Sequence, residues 1–311
     1  MDFFIDALTS IFIFVVLAQT FNFLYGYTRI VFLCLVGLVA VGAYVGGLLN
    51  LLAQGKLNAP ETPFIDFLTF LGSNIWLTLL TALVFTALLG FVISFPLLRF
   101  RGDFLAIVTL GFGEILRSII LNWGTVTRGS LGLPGIKRPE VFGMSIDGSL
   151  GFLLFTAVIS IFFLALLYRL THSPFGKILE TIREDDIAAH TIGKKINNYR
   201  IQVIVIASGI VGVMGALNVF FIRFTEPTSY NLEYLGLILL AVFAGGPGKY
   251  WGAIIAGALV AIIRYMLVLV DFIPDVVVGP LQWVILGTVL VGILIYKPNG
   301  LFGRTLTRKN Y

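Results

Sequence analysis

The sequence predicts an all-α, polytopic transmembrane bundle with broken helices and about nine spans, within a range of eight to ten. Three observations carry this. Hydrophobic residues make up 58% of the 311 and the mean hydropathy is +1.00. Charged residues make up only 12%, where a water-facing domain carries about 25%. Apolar runs also recur at the length of about 20 residues that a helix needs to cross the hydrocarbon of a bilayer.

In order along the chain, that template fits runs near 7–25, 30–53, 75–98, 103–122, 149–170, 201–223, 250–270 and 279–296. A ninth run, Leu232 to Ala244, stops at Gly245-Gly246-Pro247-Gly248 and is too short for a plain lipid-exposed span, so it reads as a broken or half helix. The N-terminus carries Asp2 and Asp6 where a secretory signal would carry basic residues, which makes the first run a retained span. The whole chain, 1–311, reads as a single transmembrane domain. Two long connections interrupt it: 123–149, rich in Gly, Pro and Ser, and the strongly charged 171–200.

Lysine and arginine set the orientation. Of the 21 basic residues, 14 fall on the side of the 171–200 connection, among them Arg29, Arg99, Arg183, Arg200 and Lys249. That side is expected to be cytoplasmic, with the C-terminus. The 171–200 connection also holds an amphipathic pattern. Ser173-Pro174 offers a helix start, Phe175, Ile178, Leu179, Ile182, Ile187 and Ile192 recur at near-helical spacing, and Gly193 offers a stop. Lys177, Glu180, Arg183, Glu184, Asp185 and Asp186 form the polar face. Such a helix suits docking on another protein or on the membrane surface.

The net charge of +5 sits between apolar runs, which argues against a nucleic-acid surface. The single cysteine, Cys34, excludes an intrachain disulfide and a cysteine metal cluster. Both histidines, His172 and His190, lie in the 171–200 connection, leaving no span with a histidine pair for haem or zinc. No cofactor is expected. The segment Gly245-Gly246-Pro247-Gly248-Lys249-Tyr250 lacks the spacing of a phosphate-binding loop, so ATP hydrolysis by this chain is not expected. The small residues Gly42 and Gly46, the set Gly209, Gly212 and Gly215, and the pair Gly252 and Ala256 predict close helix packing.

Polar residues inside spans are costly and mark candidate function. Run 103–122 carries Thr109, Gly111, Gly113, Glu114 and Arg117. Gly111 and Gly113 are expected to interrupt the helix near mid-membrane and border a substrate route, with Gly245 and Gly246 ending a second irregular element. Glu114 and Arg117 lie three apart on one face and are expected to pair, an architectural role more than a cargo contact. Arg223 and Arg264 read as snorkelling to the headgroups, and Glu233 as a helix-start carboxylate.

Three ordered motifs resemble the LivM-type permeases of branched-chain amino acid ABC importers. They are Arg101-Gly102-Asp103 through Arg117 followed by Asn122 and Thr127 to Leu133, then Ser173 to Gly193, then Lys297-Pro298-Asn299-Gly300-Leu301-Phe302-Gly303. The resemblance implies a permease subunit that moves branched-chain or other hydrophobic amino acids. It also implies a LivH-type second permease, two cytoplasmic ATPase subunits, an extracytoplasmic binding protein and a bacterial inner-membrane location. By the same resemblance, Pro174, Phe175, Gly176, Arg183, Glu184, Ala188, Ala189 and Gly193 would form the ATPase-coupling element, and loop 123–149 would meet the binding protein. The chain departs from the family where a polar stretch after the first span is replaced by Arg29-Ile30-Val31-Phe32-Leu33-Cys34. Urea or short amides in a related importer are the alternative cargo. A stand-alone ion-coupled carrier is the alternative transport reading. An intramembrane enzyme built on Glu114, Arg117 and Thr109 would need a nucleophile or metal set that the sequence does not offer.

Overall fold

A computed structural model describes residues 2–56, 62–100, 102–138, 140–141, 144–145, 148–184, 196–268, 275–297 and 300–302. Helices dominate: α1 (Asp2–Phe21), continued by a π-helical segment (Asn22–Gly26), α2 (Leu35–Ala53), α3 (Pro63–Ser73), α4 (Ile75–Leu97), α5 (Asp103–Asn122) and the short α6 (Gly124–Thr127). Then come α7 (Ser149–His172), α8 (Pro174–Glu184), α9 (Ile196–Ile222), α10 (Leu232–Gly245), α11 (Tyr250–Val268) and α12 (Asp275–Tyr296). Every one of the nine apolar runs holds a helix, and seven described helices are long and apolar enough to cross a membrane. The protein is a polytopic all-α membrane protein.

The centre is α9 wedged between α2 and α4. Small residues let these backbones meet, since a Cβ at Gly42 would overlap the Gly212 carbonyl, one at Gly212 would overlap the Thr86 hydroxyl, and one at Gly90 would overlap Ser208. Around this centre α1 packs on α7 and α11, and α10 packs on α11. Large apolar side chains face outward on α4, α5 and α7, among them Leu88, Val92, Ile107, Ile115, Val158 and Phe162. That surface is compatible with hydrocarbon and with no aqueous phase.

Three features depart from the sequence reading. The first is α3, absent from the expected set; Thr62 caps its Ile65 N–H and Pro63 occupies the first turn, a start signal that its short apolar run left underweighted. The second is α5, one continuous helix from Asp103 to Asn122 with no break at Gly111 or Gly113. The third lies beside it. Run 30–53 becomes helical only at Leu35, and the residues before it form non-helical backbone after Arg29, whose φ is +54°. The irregular element is thus in the neighbouring segment, buried against the glycine-bearing helix.

The half helix α10 has 14 residues, preceded by a 3-10 turn at Pro227–Ser229, and ends at Gly246 with φ +97°. Asn231 caps it by accepting from Tyr234 N–H at 3.1 Å, with Glu233 in the first turn as a helix dipole favours. At the far end from α8, the strands β1 (Leu133–Pro134) and β4 (Phe224–Thr225) pair antiparallel, and β2 (Glu140–Val141) pairs with β3 (Met144–Ser145). The 123–149 connection is thereby tied to the turn after α9.

Candidate functional site

Polar groups inside a membrane bundle are held by satisfied hydrogen bonds or they destabilise it. Two clusters of such groups stand out. In the first, Thr109, fully buried on α5, serves the irregular segment. Its hydroxyl accepts from Leu33 N–H at 3.1 Å and lies within donating range of the Val31 carbonyl at 3.1 Å and of Ala106 in its own helix at 2.9 Å. Gly113, one turn on along the same face, lets the chain approach: a Cβ there would stand 3.3 Å from Cys34 Cα, and a Cβ at Gly37 would stand 2.9 Å from Gly113 Cα. Gly111 points elsewhere and has open space around it. The glycine spacing therefore marks a packing groove for non-helical backbone, and the physical reason α5 stays intact is that its own ladder is never in competition with that groove.

Replacing Thr109 by valine should leave the Leu33 N–H and Val31 carbonyl buried without this hydroxyl, at about 1–3 kcal/mol per group. The expected result is a lower melting temperature of the purified protein, with Thr109→Ser close to wild type. A Thr109→Val protein that melts with the wild type would remove the hydroxyl from this role.

Glu114 and Arg117 do pair, Nε donating to Oε2 at 2.8 Å. The carboxylate side chain is 44% exposed and the guanidinium side chain 26%, so this neutralised pair sits on a face of α5 that the chain itself covers only in part.

The second cluster lies at the α8 end. Asn22, fully buried in the π-helical segment, accepts from Gly248 N–H at 2.8 Å and donates to the Lys249 carbonyl at 3.2 Å and to Gln19 Oε1 at 3.3 Å. Gly26 lies against the Gly248 backbone, and Gly248, at φ +80°, lies against the Arg183 guanidinium of α8. On the other side of the same loop, Leu301 N–H donates to the Ala244 carbonyl at 2.9 Å, and Gly300 packs on Gly246. One glycine loop thus joins α1, α8, α10, α11 and the chain beyond α12. Burial pushes the Tyr27 phenol above its ordinary range, opposed by a hydrogen bond with Thr171, so it remains a proton donor at this joint.

The amphipathic helix exists as α8. Gly176, Leu179 and Ile182 are buried and Phe175 packs its ring 5.7 Å from Tyr199, while Pro174, Lys177, Glu180 and Glu184 face outward. Ala188, Ala189 and Gly193 lie outside the described residues. Arg29, Arg183 and Arg200 line one cavity of about 430 Å³ at this end, which gathers basic residues as the charge pattern anticipates.

The six route candidates therefore separate into two places: Thr109, Gly113 and Glu114 beside the irregular segment, with Gly111 on another face of α5, and Gly245 and Gly246 in the loop beneath α8. Sequence reasoning missed Gln19 and Asn22, two amides inside an apolar run, whose cost in hydrocarbon was the available signal.

Three relatives are informative. The LivM protein of Salmonella typhimurium, a high-affinity branched-chain amino acid transport system permease protein, is 29% identical over 324 positions covering 97% of this chain and 70% of that protein. Its Escherichia coli counterpart of the same name gives the same identity and coverage. A probable branched-chain amino acid transport permease protein LivM of Methanocaldococcus jannaschii is 25% identical over 72% of this chain and 68% of its own length. No solved structure matches the chain significantly. The family described as branched-chain amino acid transport system / permease component matches residues 3–295, and with nearly the whole chain inside that match the protein belongs to this family of transport permeases.

Proposed function

We propose that the chain is the membrane-spanning subunit of an ABC importer that brings branched-chain and other hydrophobic amino acids into the cell, with ATP hydrolysed by partner subunits. The observation that carries this reading is α8, an amphipathic helix whose Arg183 lies against the loop that joins three other helices and the chain beyond α12. A helix so placed passes a push from outside the bundle directly into it. The clustering of Arg29, Arg183 and Arg200 at that end supports reading it as the cytoplasmic face, with the C-terminus. There Pro174, Phe175, Gly176, Arg183, Glu184, Ala188, Ala189 and Gly193 would form the surface for two ATPase subunits. A LivH-type second permease would complete the membrane part, and an extracytoplasmic binding protein would deliver cargo at the 123–149 side. The names of the relatives support the cargo class, and the bacterial inner membrane is the corresponding location. The segment Arg29–Cys34 with Thr109 and Gly113 would border the route, since irregular backbone at membrane depth is tolerated where it lines a protein cavity.

Reconstituting the chain with a LivH-type permease, two ATPases and a binding protein should give ATP-dependent uptake of labelled leucine, isoleucine and valine. Ala188→Arg or Gly193→Trp should leave the permease inserted but lower uptake per ATP hydrolysed by about tenfold or more. Uptake without ATPases, or wild-type coupling in both variants, would contradict the proposal.

A further inference from the structure

The α8 end is not the only place where the bundle holds polar groups around open space. Toward the opposite end, a cavity of about 360 Å³ opens between α1, α9, α10 and α11, a volume within the range of small-ligand sites. Its wall is mostly apolar and aromatic, from Ile13 and Phe14 to Leu237 and Val260, with Tyr230, Tyr234 and Tyr265 turned toward it. Arg264 completes the wall. It is an exposed residue 14 positions into α11, about 21 Å along the helix axis from Tyr250 at the α8 end and one turn before the helix ends at Val268.

Arg264 thus has the exposed place near a helix end that snorkelling calls for, and it also borders this cavity. It shares the cavity wall with the Tyr234 phenol and the Asn218 side chain. Among the described residues Arg264 makes no ion pair; the pair that exists there is Glu114 with Arg117. The contrast is informative. Arg117 is paired within its own helix, while Arg264 borders an aromatic cavity whose described lining holds no carboxylate. An arginine of a membrane-spanning helix that borders a cavity is a candidate partner for an anionic group. On α1, Asp6 lies one turn before Ser10 of the cavity wall and holds a buried carboxylate oxygen without a hydrogen-bond partner among the described residues. A molecule with a carboxylate for Arg264, an ammonium group toward Asp6 and an apolar side chain for the aromatic wall would satisfy all three.

We infer that this cavity is a low-affinity binding site for a free hydrophobic α-amino acid, held by its carboxylate on Arg264, on the receiving side of the membrane. The inference rests on the transport reading above and adds the residue that recognises the cargo's charged end. Tyr230 gives it an onward connection, because the same residue also lines a narrow cleft with Gly37, Gly113 and Glu114 beside the irregular segment. Cargo leaving Arg264 would pass Tyr230 to reach the Thr109 groove.

The test uses the purified complex of two permeases and two ATPases without the binding protein, so that the cavity alone is titrated. Millimolar L-leucine should raise the melting temperature of the wild type, while L-leucinol and L-leucinamide, which lack the carboxylate, should not. Arg264→Met, which keeps the apolar stem, should lose the leucine shift, and Arg264→Lys should keep part of it. In proteoliposomes with saturating binding protein, Arg264→Met should lower leucine uptake by about tenfold or more, as loss of a charge-assisted hydrogen bond does. Equal stabilisation by leucinol and leucine, or an unchanged leucine shift and uptake in Arg264→Met, would overturn the inference. So would an anionic phospholipid that copurifies with wild type and not with Arg264→Met while leucine has no effect, since the anion would then be a headgroup phosphate. A wild-type complex that imports no hydrophobic amino acid at all would instead refute the transport reading.

Discussion

Replacing Gly42 by valine should abolish recovery of folded protein. At this position a Cβ would overlap the backbone carbonyl of Gly212 and approach its Cα within 2.5 Å. The clash is backbone against backbone, so no rotamer change relieves it, and the two helices must separate. Separation would also withdraw Gly46 from Ala216 and Gly215 from the Val39 carbonyl. Overpacking a core costs about 1–3 kcal/mol when side chains can yield; here they cannot, and the loss extends along the whole α2–α9 contact. Gly287→Ala makes the proper control, because that glycine has open space around it on α12 and alanine is the better helix former by about 0.8–1.0 kcal/mol. Size-exclusion profiles of fluorescent fusions in mild detergent should show a single sharp peak for the control and none for Gly42→Val. A normal peak for the valine variant would mean that the α2–α9 contact is not where the fold is held.

Asn22→Ala should separate folding from function. The substitution removes three hydrogen bonds at once and leaves the Gly248 N–H and the Lys249 carbonyl without their partner, at about 1–3 kcal/mol each. Most of the bundle does not depend on this joint, so the protein should still insert and purify, with a reduced melting temperature. The link from α8 through Gly248 to α1 is lost, and uptake per ATP hydrolysed should fall by about tenfold or more. Asn22→Asp keeps an acceptor for Gly248 N–H and should retain more activity than alanine. If Asn22→Ala transports normally while melting earlier, the amide is a structural pin with no part in transmission.

The helices were legible because hydropathy is a one-dimensional property and a span must be apolar over its whole length. The same property hid the segment before Leu35. Ile30, Val31, Phe32 and Leu33 are as apolar as any span, and the hydroxyl that meets their non-helical backbone comes from a distant helix. Thr109 and Gly113 stand out as unusual in an apolar run, but the partners of the Thr109 hydroxyl are 76 to 78 residues away in the chain, which no local pattern reports. The cavity beside Arg264 was, for a similar reason, not legible. The position of Arg264 near a helix end fits snorkelling, and the cavity beside it is made by three other helices. The pairing of Glu114 with Arg117, by contrast, is set by helical spacing alone and was readable in advance.

The interlocked glycines of α2 and α9 and the Gly212–Thr86 and Gly90–Ser208 contacts onto α4 have a mechanical consequence. Three helices joined through glycines and short Thr and Ser side chains have no compliant layer of long side chains between them, so they behave as a stator. Strain delivered at α8 then cannot be absorbed by shear within that trio and is channelled into the parts that meet it through hydrogen bonds and aromatic rings, α1, α10 and α11. A stiff body beside a compliant one concentrates displacement at their junction, and Asn22 is at that junction. In an importer of the kind proposed, a pivot at the α8 end would put the largest excursion at the far end, where Tyr230, Tyr234 and Arg264 stand.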